Sequence, residues 1–276
     1  GMVLQNSLGI NSRMISLKEA REICPGLSAD DAFGFFFHGR DGHADPFLTT
    51  FAYLEAAKKM GVSCFRHTAC TGITVENNVV RGVETERGTI SAPIVINCAG
   101  AYAQFIAKMA GIDLPNWGER HEIMITEPVA PGVCPCMLMS FSGNYYIQQR
   151  PHGSIICGMI PEGHPQDFEL KTTWYFLEEM SRVLVRLLPR TRGIRVARQW
   201  SGMYDMTPDA QPIIGETDVR NFYHSTGYSG HGFMLAPVAG KILAQHLAGK
   251  TPDIDFSMLD YRRFARGEHI RESNVV

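Results

Sequence analysis

Ser225-Thr226-Gly227-Tyr228-Ser229-Gly230-His231-Gly232-Phe233-Met234-Leu235-Ala236-Pro237 sets three glycines between an apolar strand (221–226) and a helix expected from Met234 to Leu247. Glycines at such a junction let the backbone come close to a ligand, and the first amides of the helix point outward without intrahelical partners. The positive end of the helix dipole adds to this, so the turn suits a phosphate, a carboxylate or an electron-rich ring oxygen. Taken alone, the same residues also read as a tight strand-to-helix turn. The spacing is not G-x-G-x-x-G in the order a pyrophosphate site uses.

Outward from this turn, the periodicities give a mixed order of elements. Ser16-Leu17-Lys18-Glu19 has capping-box spacing and opens a short helix that stops before Pro25. Phe33 to Phe37 reads as a buried strand. Asp45-Pro46 starts a helix through Phe47, Phe51, Leu54, Ala57 and Met60, closed by Gly61. Val62 to Arg66 is expected as a strand, and 69–76 with 79–86 as a hairpin turning at Asn77-Asn78. Ile94-Val95-Ile96 reads as a strand buried on both faces, leading through Cys98-Ala99-Gly100 into a helix that ends at Gly111. Residues 120–160 alternate as short antiparallel strands, and a helix follows from about Thr172 to Leu187. The order α/β, antiparallel β, α/β predicts a discontinuous layout, with 45–111 and 196–276 in one domain and 1–44 and 112–195 in the other.

Composition narrows the function classes. The 276 residues carry 26 basic and 28 acidic side chains, a net charge of −2, without a block of one sign. No nucleic-acid groove or anionic membrane surface is indicated, and no apolar run approaches a membrane span. The first residues lack the pattern of a signal peptide, and seven scattered cysteines favour reduced thiols, so a cytoplasmic protein is expected. Cys134-Pro135-Cys136 is the one close pair; it reads either as a metal site or as two ordinary loop or core thiols, and no metal is expected.

Four segments in order carry a resemblance. They are Asp41-Gly42-His43-Ala44-Asp45-Pro46, Val95-Ile96-Asn97-Cys98-Ala99-Gly100-Ala101-Tyr102, Thr207-Pro208-Asp209 with Pro212-Ile213-Ile214-Gly215, and the glycine-rich turn. Together they resemble the FAD-dependent D-amino-acid oxidase/sarcosine oxidase superfamily, nearest to sarcosine oxidase and proline dehydrogenase β-subunits and D-amino-acid dehydrogenases. The resemblance implies an α/β (mixed α+β) fold: a discontinuous FAD-binding domain of the glutathione-reductase type, N-terminally incomplete, and an antiparallel-sheet substrate domain. It implies oxidation of a secondary amine or amino acid by hydride transfer to flavin N5. By resemblance, Gly230, His231, Gly232, Phe233 and Met234 lie against the isoalloxazine, Ala99 and Gly100 approach the pyrophosphate, and Cys64 and Phe65 flank the adenine. Asp209 orders the turn beneath the flavin.

The catalytic candidates are Tyr146, Arg120 and His231. Tyr146 would bond an amino-acid carboxylate or simply pack in the sheet. Arg120 would meet the flavin edge or sit as a solvated strand end, and His231 would act in the turn or only shape it. Two departures from the family stand out. Relatives often attach flavin through a cysteine just ahead of Thr-Pro-Asp, where this chain has Gly202-Met203-Tyr204-Asp205-Met206, so any flavin is expected to be noncovalent. Some relatives also place a carboxylate-binding arginine where Tyr204 stands. The family's opening strand, G-x-G-x-x-G and helix are not found before Ser16. The expected partners are a small amine or amino acid, and partner subunits or self-association. Two alternatives remain: a fragment or split-protein piece without stable flavin or activity of its own, and a binding module that has lost redox chemistry.

Overall fold

The structure is a computed structural model, and it describes residues 1–160 and 168–270. In chain order these form α1 (Met2–Ser7), β1 (Ser12–Ile15), α2 (Leu17–Ile23), β2 (Phe35–His38), α3 (Pro46–Lys59), β3 (Cys70–Glu76), β4 (Val79–Thr85), β5 (Gly88–Ser91) and β6 (Val95–Asn97). There follow α4 (Ala103–Met109), β7 (Trp117–Thr126), β8 (Leu138–Ser140), β9 (Tyr145–Gln149), β10 (Ile155–Met159), α5 (Trp174–Leu187), β11 (Val196–Met206), β12 (Ile213–Glu216), β13 (Phe222–Thr226) and α6 (Gly232–Leu247). Among the described residues the chain divides into two compact units: Gly1–Asp41 with Glu119–Met203, and Gly42–Gly118 with 204–270.

The first unit is built on a five-stranded sheet in the order β11-β7-β10-β9-β8. Alternation along the strands sends Met124, Cys157 and Ile147 to one face, where they form a buried cluster with Phe176, Met180 and Leu184 of α5 and with Ala20 and Cys24 of the α2 region. Thr173 caps α5, its Oγ1 accepting from the Phe176 amide at 3.1 Å. Glu122, almost fully buried, accepts from the Thr173 amide (2.6 Å), its hydroxyl (2.8 Å) and Gln199 Nε2 (2.9 Å), which ties the helix start to the sheet. Gln149 Oε1 gathers the amides of Gly132, Val133 and Cys134, organising the loop before β8. Ser16 caps α2 as its spacing predicts, but the Glu19 carboxylate pairs with Arg13.

One expectation needs correction here. The strand read at Phe33–Phe37 is Phe35–His38, a partner of β1 in a two-stranded ribbon, with Phe33 fully exposed and Phe36 half exposed. A two-stranded ribbon buries at most one face, so a run of phenylalanines does not make it a core strand.

The second unit holds two three-stranded sheets, β12-β13-β6 and β3-β4-β5. Asn77 (φ +50°) and Asn78 (φ +60°) make the β3–β4 turn in the left-handed region, as the sequence suggests. Ile73, Val80, Val95, Ala103, Ala107, Ile213 and Phe222 form one core, and Ile214, Tyr223, Ala239, Ile242 and Leu243 another under α6. His224, fully buried on β13, meets the rings of Phe222 and Tyr261 edge-on at 5.1 and 6.1 Å. Neither of its ring nitrogens has a hydrogen-bond partner among the described residues, and burial lowers its pKa to about 4.

Asp45 caps α3 (2.6–3.2 Å being the usual range, here 3.0 Å from the Leu48 amide), and Gly61, at φ +95°, follows its end. No residue of α3 is buried, and Phe47, Leu48, Phe51 and Tyr53 are all more than half exposed. The strand expected at Val62–Arg66 is absent; these residues have no ladder partner and are exposed. On β6 only Val95 and Asn97 are buried, while Ile94 and Ile96 remain about two-fifths exposed, so the strand is covered on one face rather than two. α6 begins at Gly232, two residues earlier than expected, because Gly230 completes the turn.

Candidate functional site

The glycine-rich turn of the second unit runs from the end of β13 to the start of α6, through three residues of positive φ: Gly227 (+74°), Ser229 (+48°) and Gly230 (+89°). A side chain is also excluded sterically. A Cβ at 227 would come within 2.3 Å of Thr207 Cγ2, and one at 230 within 2.4 Å of the Tyr204 ring. Asp205, on the strand beside the turn, sets its shape. Its Oδ2 accepts from Thr226 Oγ1 at 2.6 Å and from the Gly227 amide, and its backbone oxygen accepts from the Ser229 amide at 2.8 Å.

Asp205 also reaches a second glycine element. Its Oδ1 accepts from Asn116 Nδ2 at 2.8 Å; that nitrogen also donates to the Gly100 carbonyl at 3.2 Å, and Thr226 Oγ1, its proton turned to Asp205, stands 3.2 Å from the same carbonyl. Asn97 orders the approach to Gly100, accepting from the Ala99 amide at 3.1 Å and donating to the Ala103 carbonyl at 2.9 Å. Gly100 lies at φ +56° with open space where a Cβ would stand. The structure therefore joins Ala99 and Gly100 to the turn of Gly230 and Gly232 through one aspartate, one asparagine and one threonine.

The turn ends in an uncapped helix. His231 is the N-cap residue of α6 but its side chain makes no capping bond; its amide donates to the Tyr228 carbonyl at 2.9 Å. The first-turn amides of Gly232, Phe233 and Met234 precede the first intrahelical bond, Leu235 to His231 at 3.2 Å. Phe233 and Met234 present half-exposed to exposed side chains there. Asn116 Oδ1, nearby in the same network, is buried without a partner among the described residues. Outward amides, an open Gly100 and a spare acceptor fit a long, polar, negatively charged ligand with an electron-rich ring.

Asp209 is held more tightly than its expected role requires. Its carboxylate forms a fully buried fork with Arg263, at 2.8 Å from Nε and 2.9 Å from Nη2, and accepts from the amides of Gln211 (3.2 Å) and Ile270 (3.1 Å). Burial alone would raise this carboxyl; the bonds from Arg263, Ile270 and Gln211 outweigh it and hold the pKa below its ordinary value. Cys64 and Phe65 lie exposed after α3 and take no part in the network around Gly100.

The remaining candidates belong to the first unit. Tyr146 stands on β9 opposite Gly158 of β10 and Met139 of β8. By alternation it shares the face turned away from α5, with Gln148 and Ile123. Arg120 is on the helix-covered face: it is 5% exposed and donates to the Glu169 carbonyl at 3.1 Å, so it is not a solvated strand end. Tyr146 and Arg120 are therefore not brought together on one side of the sheet. All seven cysteines are free, and burial pushes the Cys157 thiol up to about 12. No group of three metal-ligating side chains is formed among the described residues, and no helix among them is long and apolar enough to cross a membrane.

Residues 2–246 match the family described as DAO, FAD dependent oxidoreductase. The chain belongs to this family. A DAO-family relative, the sarcosine oxidase subunit beta of an Arthrobacter species, is 28% identical over 97% of the chain and 67% of its own length. The corresponding subunit from Rhodobacter capsulatus is 27% identical over 97% of the chain and 65% of the relative. Among solved structures, L-proline dehydrogenase from P. horikoshii superposes with a TM-score of 0.92 at 35% identity, covering 98% of this chain and 73% of that one. Glycine oxidase from Geobacillus kaustophilus shares the fold, with a TM-score of 0.86 at 21% identity over 95% and 69% of the two chains. The chain thus spans about two thirds of the length of these curated DAO-family relatives.

The residues of this network that the sequence did not single out are Asp205 and Asn116. Asp205 stands two residues ahead of Thr207-Pro208-Asp209, and a carboxylate that close to a recognised landmark was the available signal.

Proposed function

We propose that this chain takes part in the FAD-dependent oxidation of a secondary amine or amino acid. The observation that carries the proposal is the uncapped start of α6, whose turn is fixed by Asp205 and joined through Asn116 and Thr226 to Gly100. When bound, FAD supplies a two-electron acceptor, at N5, for the hydride leaving the substrate's α-carbon. The chain's own contribution is binding, orientation and field. The amides of Gly232, Phe233 and Met234 and the α6 dipole favour an electron-rich ring edge, and Gly100 admits a phosphate without a clash. His231 shapes that turn and Asp209 locks the loop beneath it. Tyr146 donates to an amino-acid carboxylate, while Arg120 supports the sheet from its helix-covered side.

Residues 45–111 and 196–276 serve as the FAD-binding domain, Cys64 and Phe65 flanking the adenine, and 1–44 and 112–195 as the substrate domain. With Gly202 and Met203 where relatives carry a linking thiol, the flavin is held noncovalently. Sarcosine oxidase subunits and proline dehydrogenase among the relatives support a small secondary-amine substrate and partner subunits, and seven free thiols support a cytoplasmic setting.

Calorimetric titration of the 276-residue chain with FAD, followed by acid precipitation, tests this. All colour from any flavin bound should pass to the supernatant, and micromolar or tighter affinity would show that this chain holds FAD by itself. Colour kept in the pellet would overturn the noncovalent site, and an absence of binding would favour the alternative, a chain without stable flavin on its own.

A further inference from the structure

β10 is an interior strand, paired with β7 on one side and β9 on the other, and glycine inside such a strand weakens it. Gly158 is nevertheless there, buried, and its φ is not in the left-handed region, so the backbone does not ask for glycine. What excludes a side chain is Tyr146. A Cβ at 158 would lie 2.4 Å from Tyr146 Cζ, 2.5 Å from its hydroxyl oxygen and 2.6 Å from Cε1. The hydroxyl end of the phenol, its oxygen together with Cζ and Cε1 of the ring, occupies the space above Gly158. The contrast with Gly143 is informative: there a Cβ would meet Cε1 and Cδ1 of Tyr145 at 2.4 and 2.8 Å, a contact with the ring edge alone.

We propose that Gly158 is a positioning residue, whose missing side chain sets the Tyr146 hydroxyl at a fixed place on the face of the sheet turned away from α5 to receive the substrate's carboxylate. The inference rests on the reading of Tyr146 as the carboxylate donor and adds what fixes its geometry. An alanine at 158 keeps the strand conformation but displaces the Cζ–O end, since less than 3 Å between carbon atoms is not tolerated. The hydroxyl then moves by more than a hydrogen bond allows.

The test uses the full chain loaded with FAD, tyrosines carbon-13 labelled at Cζ, and L-proline and sarcosine as probes. Tyr146→Phe assigns the Tyr146 resonance. Gly158→Ala is expected to move that resonance and leave those of the other tyrosines in place. It should raise KM for the accepted probe about tenfold with kcat within a factor of two, as Tyr146→Phe does. The double variant Gly158→Ala with Tyr146→Phe should have the KM of Tyr146→Phe alone. An unmoved resonance, or a KM effect that adds in the double variant, overturns the positioning role. If Tyr146→Phe itself leaves KM unchanged, the carboxylate reading of Tyr146 falls and this inference with it. Should Gly158→Ala fail to fold, Gly158→Ala with Tyr146→Ala must restore folding if the phenol is the cause; continued misfolding overturns the proposal.

Discussion

Replacing Arg263 by leucine tests how the loop at Asp209 is held. The wild-type pair is a two-bond fork with both side chains 1% exposed, and Arg263 also donates to the carbonyls of Leu259 and Gln211 at 3.0 and 2.9 Å. Removing one partner of a buried pair leaves an uncompensated charge, which costs about 3–5 kcal/mol. For a chain of this size that corresponds to a fall in Tm of roughly 6–20 °C. The sign of the pH dependence separates this cause from simple loss of packing. In the wild type the Asp209 carboxyl is held low, so the stability it brings is present above the ordinary carboxylate range and is lost as pH falls through the folded value. Without Arg263, burial dominates and raises the group, so acid neutralises it readily and relieves the penalty. The difference between wild type and Arg263→Leu should therefore be large at neutral pH and shrink on acidification. Urea unfolding across that range measures it. A difference below about 1 kcal/mol, the size of a surface effect, or one independent of pH would refute the reasoning.

His224 should contribute a slope of the same sign at milder pH. Its folded pKa of about 4 lies below the ordinary histidine value of 6.5, so the unfolded chain binds more protons between them and stability falls as pH drops through that window. His224→Leu should remove this slope in pH-dependent melts; an unchanged slope would assign it elsewhere. Asp205→Ala leaves the Gly227 amide without its acceptor, at about 1–3 kcal/mol for a buried donor left unsatisfied, and leaves Thr226 and Asn116 only the Gly100 carbonyl. FAD affinity should drop with stability, and calorimetric affinity equal to wild type would separate the turn from the cofactor.

Much of the fold is legible locally. The caps Ser16 and Asp45, the Asn77-Asn78 turn and the glycine-rich junction are decided by a few adjacent residues. What was misread depends on distant partners. Val62–Arg66 has the composition of a strand but no ladder to join, and Ile94–Ile96 has apolar side chains on a face that nothing in this unit covers. In the site, the glycines carry their own signal through φ and size. Asp205 and Asn116 do not: 89 residues separate them, and only the folded unit makes one carboxylate serve two loops. The Asp209–Arg263 fork, 54 residues apart, is hidden for the same reason.

Helix α3 carries one more consequence. A helix of 14 residues is marginal on propensity alone and ordinarily draws its stability from an apolar side packed on a core. α3 buries none of its residues, so its definition rests on the Asp45 cap, Pro46 at its first position and its own backbone bonds. It is thus the natural first segment to open while the two cores of its unit stay closed. Its amides should exchange with solvent long before those of β13, and a protease added to the native chain should cut near residues 42–66 before it cuts anywhere in the sheets.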